Sequence, residues 1–250
     1  MLYYREIRLK DQRKCLLKNA ERADAAAFPA IDRLGEYSAY TGKNGGTSYA
    51  ITGLVLREEN SNEPLGLFAV NEGSIDHADL RGVSVNGVDF VGALCGGNKG
   101  NVTDGTVSGT VFGQHYVGGV IGVEKATDQA AGLHGAGTYL YTDSGLVNKA
   151  DVTGFSHVGG IIGSQEKSEA VDCRNYGVIQ GLADEGGEES RYIGGIAGYS
   201  SQSRIADSIS TPLAEPVYDS QGRLTDLYGS YVGGIVGFLD EGIVENCGTG

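Results

Sequence analysis

The chain has 250 residues, a formal net charge of -13, and 42 Gly against 4 Pro. Such an acidic balance repels phosphate backbones and sets nucleic acid aside as a partner. No run of about 18 apolar residues exists to cross a membrane as a helix, and a hydrophobic content of 40% suffices to fill a core. Glycine stands near twice the average usage of about 7%, with no G-X-Y period, which excludes collagen and points to tight turns that recur.

Taken in chain order, residues 1–50 read as an N-terminal flank and cap. Ile7-Arg8-Leu9 alternates like a strand, and residues 15–27 carry good helix formers (Leu16, Leu17, Ala20, Ala25). The start has no apolar stretch of signal-peptide length, so Met1 is not expected to be the natural start of a secreted protein. Thr41-Gly42-Lys43-Asn44-Gly45-Gly46 lacks the GxxxxGK[ST] order of a phosphate loop and reads as a turn. From residue 51 to 250 the chain reads as one repeat domain.

One heptad recurs five times: FVGALCG from Phe90, YVGGVIG from Tyr116, HVGGIIG from His157, YIGGIAG from Tyr192 and YVGGIVG from Tyr231. Its first glycines, Gly92, Gly118, Gly159, Gly194 and Gly233, lie 26, 41, 35 and 39 residues apart. Gly119, Gly160, Gly195 and Gly234 follow in four copies, and these pairs are expected to be structural. A second element, an aliphatic residue three before a small one, accompanies each heptad. Its copies are Ile75 to Ala78, Val102 to Gly105, Val147 to Ala150, Ala170 to Cys173, Ile205 to Ser208 and Val244 to Cys247. Glycines four residues on (Gly82, Gly109, Gly154, Gly177) read as corners before a β-branched stretch. A unit of three short strands cannot bury its apolar face alone, and stacking buries a continuous core. The expectation is an all-β, right-handed parallel β-helix with three-strand coils and an N-terminal cap. Insertions belong in flanking loops, here residues 123–144, 182–191 and 212–230.

The heptad and its partner element resemble the GLUG repeat, a V-G-G-[LIV]-x-G core followed by I-x-x-C. The likeness covers roughly residues 66–250 and departs from the pattern at Ala93, Cys95 and Pro212. It implies a secreted or cell-surface bacterial setting, in adhesin-like proteins or proteins similar to immunoglobulin A1 proteases, and no reaction for the repeats themselves. The chain stops in mid-repeat at Asn246-Cys247-Gly248-Thr249-Gly250, so further coils or domains of a longer parent are expected.

His77, His115, His134 and His157 do not form HExxH, and Ser164-Gln165-Glu166-Lys167 matches SxxK without its SDN and KTG companions. No catalytic, metal or cofactor site is expected. Asp104, Asp172, Asp207 and Asn246 share one register with His77 and Lys149. A carboxylate row could hold calcium or cleave polysaccharide, but a Lys in the row argues for a solvated strand end. The acidic stretch around Glu188 lacks ordered calcium-ligand spacing. Phe90, Tyr116, His157, Tyr192 and Tyr231 precede the VGG core, and stacked coils bring them together as an aromatic ladder or a sugar platform. Cys173 and Cys247 flank Ser208 in one register, about two coil rises apart and too far for a disulfide. The leading functional expectation is a non-catalytic scaffold for adhesion or presentation, with a host protein or glycan as partner. A substrate-docking region of an immunoglobulin A1 protease-like metallopeptidase is second, and a polysaccharide-active β-helix enzyme third.

Overall fold

A heptad with two adjacent glycines cannot run straight when its aliphatic residues on both sides must reach one core, and here it bends. The computed structural model describes residues 8–9, 14–16, 31–35, 38–44, 46–125, 141–182, 191–211 and 230–250. In the second heptad the strand His115–Gly118 ends at the first glycine, Gly119 and Val120 turn the corner, and Ile121–Lys125 starts a strand on another sheet. Every heptad is split this way, so each complete coil offers strands to four parallel sheets rather than the three segments expected from the sequence.

The entry sheet stacks Asp89–Gly92, His115–Gly118, Ser156–Gly159, Arg191–Gly194 and Ser230–Gly233. The exit sheet runs from Ile31–Leu34 and Phe68–Asn71 through Cys95–Asn98, Ile121–Lys125, Ile162–Glu166 and Ala197–Ser201 to Val236–Asp240. A third sheet collects the aliphatic elements Ala39–Thr41, Ser74–Asp76, Asn101–Thr103, Tyr141–Ser144, Ser168–Val171, Arg204–Ala206 and Ile243–Glu245. The fourth holds the longest strands, Asp79–Asn86, Thr106–Phe112 and Val147–Gly154. All pairings within these four stacks are parallel, and consecutive coils supply neighbouring strands. This is a parallel β-helix.

Identical positions fall into columns along the stack. Val91, Val117, Val158 and Ile193 pair in register and are fully buried. Phe68, Cys95, Ile121, Ile162 and Ala197 form the next apolar column, with Leu94, Val120, Ile161 and Ile196 filling the corner between the two. Each buried Val, Leu or Ile contributes on the order of 1.5–3 kcal/mol relative to exposure. Two polar columns run inside this core. Asn71 and Asn98 form one, their amides joined at 2.7 Å, and Asn148, Asn175 and Ser210 form the other, joined at 2.9 and 3.3 Å. Asn98, Asn148 and Asn175 also satisfy the N–H and C=O of the residue two ahead, closing the turn after each strand.

Several expectations change here. Parallel pairing starts upstream of residue 51, at Lys14–Leu16 beside Ala39–Thr41 and at Ile31–Leu34. Cys15 and Leu16 are in a strand, not a helix; residues 17–27 of that expectation lie outside the described residues. Arg8–Leu9 is a strand, and it pairs antiparallel with Lys14–Leu16, which interrupts the parallel edge. Lys43–Asn44 and Thr47–Ser48 form a small antiparallel hairpin with Gly46 at φ 85°, the turn expected there. Gly82 and Gly109 lie inside long strands and not at corners: Gly82 sits where the register slips between Leu80 and Val83, a bulge, and Gly109 pairs with Val83 just beyond it. The acidic stretch around Glu188 lies outside the described residues.

Candidate functional site

The glycine pairs need no positive φ; the left-handed glycines are Gly46, Gly53, Gly82, Gly109 and Gly145. What they need is space. A Cβ on Gly118, Gly159, Gly194 or Gly233 would collide with the carbonyl oxygen of the residue three ahead. A Cβ on Gly119, Gly160 or Gly195 would collide with the next coil's glycine carbonyl and with Asn148, Asn175 or Ser210. Gly92 meets Cys95 in the same way, and Gly234 meets Thr249. Where the second glycine is replaced by Ala93, the position that holds Asn148 one coil on is Val107, so that coil lacks the amide the glycine accommodates.

The residue before each VGG core is left-handed: Phe90, Tyr116, His157, Tyr192 and Tyr231 have φ of 54–59°. That backbone state throws the side chain outward, and the rings stack along the helix axis. Centroids are 5.0 Å apart for Phe90–Tyr116, 4.5 Å for Tyr116–His157, 4.8 Å for His157–Tyr192 and 5.3 Å for Tyr192–Tyr231. Tyr199 and Phe238 add a second, parallel stack beside the last rungs at 5.7 Å. The sequence showed these two only as aromatics directly after the heptad's last glycine. Sugar rings dock on open aromatic faces, and in this column the faces are taken by neighbouring rings. The arrangement is a ladder of neighbouring rings, with Tyr231 at its end 57% exposed. Burial pushes His157 down to about 4, with the neighbouring His115 adding to it, so the histidine rung is neutral near pH 7. Ser156 Oγ bridges the two imidazoles at 2.8 and 3.0 Å.

A second left-handed column holds His77, Asp104, Asp172, Asp207 and Asn246, with φ of 51–53°. Asn, Asp and His tolerate this conformation better than other non-glycine residues, which accounts for their selection. Lys149 is not in the column: Thr103 pairs with Ser144, so Gly145 is the register mate of Asp104, and Lys149 pairs with Ser108 on the fourth sheet. With Gly145 at that position, the row holds no lysine. Only one triplet in the row closes up. His77 Nδ1 is 2.7 Å from Asp76 Oδ1 and its Nε2 is 3.6 Å from Asp104 Oδ2. Elsewhere the acids pair locally, Asp172 with Arg174 at 2.7 Å and Asp207 with Asn246 at 3.2 Å.

The register shift also reveals what sequence reasoning missed. Asp143 occupies the apolar column of the third sheet, paired with Ala170 and level with Tyr40, Ile75, Val102 and Ile205. Glu124 stands in the polar column of the exit sheet between Asn98 and Gln165. Both are fully buried and face each other. Asp143 accepts from Val102 N–H at 2.8 Å and lies 3.4 Å from the Asn98 amide. Burial pushes Asp143 up to about 7 and raises Glu124 well above its usual range, the Asp143 charge adding to the latter. Cys95 and Cys173 are buried free thiols, raised by burial and by these carboxyls, Cys173 to about 12, and both are inert at neutral pH. Cys247 is free as well.

These columns define a solenoid whose regular surface is an aromatic ladder and a row of strand-end carboxylates. No family model matches the chain. Halomucin of Haloquadratum walsbyi is 30% identical over 105 residues, which are 41% of this chain and 1% of halomucin, so the chain spans a small fraction of that relative's length. A solved structure from Bacteroides ovatus, provisionally assigned as an immunoglobulin A1 protease, superposes with a TM-score of 0.63. It matches 96% of this chain and 70% of its own at 18% identity, a likeness of fold alone.

Proposed function

We propose that this chain is a non-catalytic scaffold of a secreted or surface-attached protein, a GLUG-type solenoid that holds other segments away from the surface and serves adhesion or presentation. The observation that carries the reading is the continuity of its columns. The apolar column of the entry sheet and the aromatic column run from coil to coil, which suits a rigid spacer, while the chain between matched strands varies by up to 15 residues. The partial likeness to halomucin supports a surface setting. Among the described residues the exposed acids are spread over several strands and turns, Glu59, Asp104, Asp151 and Glu245 among them, which suits a solvated surface.

Two measurements test this. Antibody raised against the chain should label intact cells of the source organism without permeabilisation. The purified chain should leave immunoglobulin A1 and acidic polysaccharides uncleaved; turnover abolished by Asp76→Asn or Asp104→Asn would overturn the reading. The fold likeness to the Bacteroides ovatus protein favours a second reading, a docking region beside a protease domain elsewhere in a longer parent. Saturable binding of immunoglobulin A1 to the purified chain would select it.

A further inference from the structure

The coil that contains Glu124 and Asp143 is the one place among the described residues where two carboxyls point into the core together. The matching positions on other coils are Asn71, Asn98, Gln165 and Ser200 in one column, and Tyr40, Ile75, Val102, Ala170 and Ile205 in the other. Two acids in such a place cost several kcal/mol of desolvation each unless a counter-charge is supplied. None of the described basic side chains pairs with either. A single proton shared between them leaves one net charge enclosed, and it leaves more than charge unanswered. Neither Glu124 oxygen has a hydrogen bond of standard geometry, although Asp143 and the Ser168 hydroxyl both lie close enough to act on it, and the amide oxygen of Gln165, its register neighbour, is equally buried and unpartnered. Buried polar atoms are almost always satisfied, and a cluster that is not points to a missing ion or water.

The donor chemistry narrows the ion. The orphaned atoms are all oxygens, both of the Glu124 carboxylate, the Ser168 hydroxyl and the Gln165 amide carbonyl, and the Asp143 carboxylate beside them accepts from Val102 N–H and from the Asn98 amide. No His nitrogen or Cys sulfur among the described residues lies within 4.8 Å of both carboxylates; the triplet meeting that test is Asp76, His77 and Asp104 on the surface. An all-oxygen set from strands of one sheet and the next suits a hard divalent ion with flexible coordination. We propose that Glu124, Asp143, Ser168 and Gln165 form an enclosed calcium site that locks this coil to the next. The two acids stand on consecutive strands, Ile121–Lys125 and Tyr141–Ser144, on either side of residues 126–140. The ion would therefore tie together the two strands that flank those residues.

The test uses the whole chain, freed of metal by chelator at pH 7.5. Addition of about 1 mM calcium should raise the unfolding midpoint, and calorimetry should give one enclosed site per chain. At pH 6, binding should release protons, read from heats in buffers of different ionisation enthalpy, because the ion displaces the protons that the two raised carboxyls hold there. Glu124→Gln with Asp143→Asn should abolish the calcium response, while Asp104→Asn on the surface should retain it. No calcium-dependent rise in the native chain would overturn the proposal and leave the pair as a shared proton. A rise that persists in the Glu124→Gln/Asp143→Asn chain would overturn it too, by placing the ion at the Asp76–His77–Asp104 triplet. Should that double variant fail to fold, the proton count on the native chain decides alone, and calcium binding without proton release sinks the idea.

Discussion

At the scale of single residues, the repeat is governed by where a methyl group fits. Gly160 is not conformationally special, yet a Cβ there would fall under 3.0 Å from the Gly195 carbonyl and from Asn175 Cγ. Gly97 is just as buried, and its nearest neighbour would be Val70 Cγ2 at an ordinary 3.8 Å. Gly160→Ala should therefore destabilise by about 3 kcal/mol or more, whereas Gly97→Ala should stay within about 1 kcal/mol of the parent. Chemical denaturation of the two variants checks this; equal losses would mean that crowding does not select the glycines. The heptad glycines were legible because five copies align in the sequence itself. The two core acids were not. Asp143 replaces the aliphatic residue by which its element is recognised, and residues 126–140 separate it from its heptad, so the eye settles on Val147 to Ala150 and misplaces Lys149. A pattern search finds residues that obey the repeat, and the one coil that breaks it is displaced from view.

Strands and columns set the next scale, because a parallel β-helix repeats its environment every coil. A ladder rung contributes through two ring contacts, one above and one below. His157 is the odd rung: its contact with Tyr192 is tilted by 53°, against 13° for Phe90 and Tyr116. Its depressed pKa also means that acid works against the fold there. Between the free-imidazole value of 6.5 and about 4 the unfolded chain binds the extra proton, so stability from this site falls as pH falls through that window. Replacing His157→Tyr should restore the column's chemistry, raise stability by about 0.5–1.5 kcal/mol, and remove that part of the acid sensitivity. A thermal scan at pH 5 and pH 7 reads both; a destabilised variant with unchanged acid sensitivity would show that the imidazole bridge through Ser156 matters more than stacking. The internal amide column offers a matched test. Asn175 bonds Asn148, Ser210 and both polar groups of Gly177. Asn175→Leu leaves several of these unpaired in the core and should cost on the order of 3 kcal/mol, against under about 1 for Asn246→Ala on the exposed turn column. The column was invisible in the sequence because its members sit among variable polar letters, and only the four-sheet path turns them inward.

For the molecule as a whole, the stack behaves as a line of coils in which each is held by its neighbours, so one weak coil limits the rest. The coil with Glu124 and Asp143 is the candidate for that weak point when no cation is bound. The sign of its pH dependence is unusual. Both carboxyls have folded values above their free values, with Asp143 near 7 against 3.8. Between those values the folded chain holds protons that the unfolded chain has already lost, so stability falls as pH rises from about 4 through 7. Most acidic proteins lose stability in the other direction, as paired carboxylates are protonated. The groups that act on the pair are each other, Asn98, Val102 N–H, Ser168 and the protonated thiols of Cys95 and Cys173, and none of these supplies a positive charge. In chelator, the unfolding midpoint should therefore decline from pH 5 to pH 8, partly offset by the opposite slope from His157 below pH 6.5. Asp143→Asn should flatten that decline and leave the variant more stable than the parent at pH 8, by on the order of 2–4 kcal/mol. At pH 5, where the parent's pair is already protonated, the two should differ little. A parent midpoint that rises steadily from pH 5 to pH 8 in chelator would mean that the carboxyls are ionised and paired in the folded chain, and that something other than each other neutralises them.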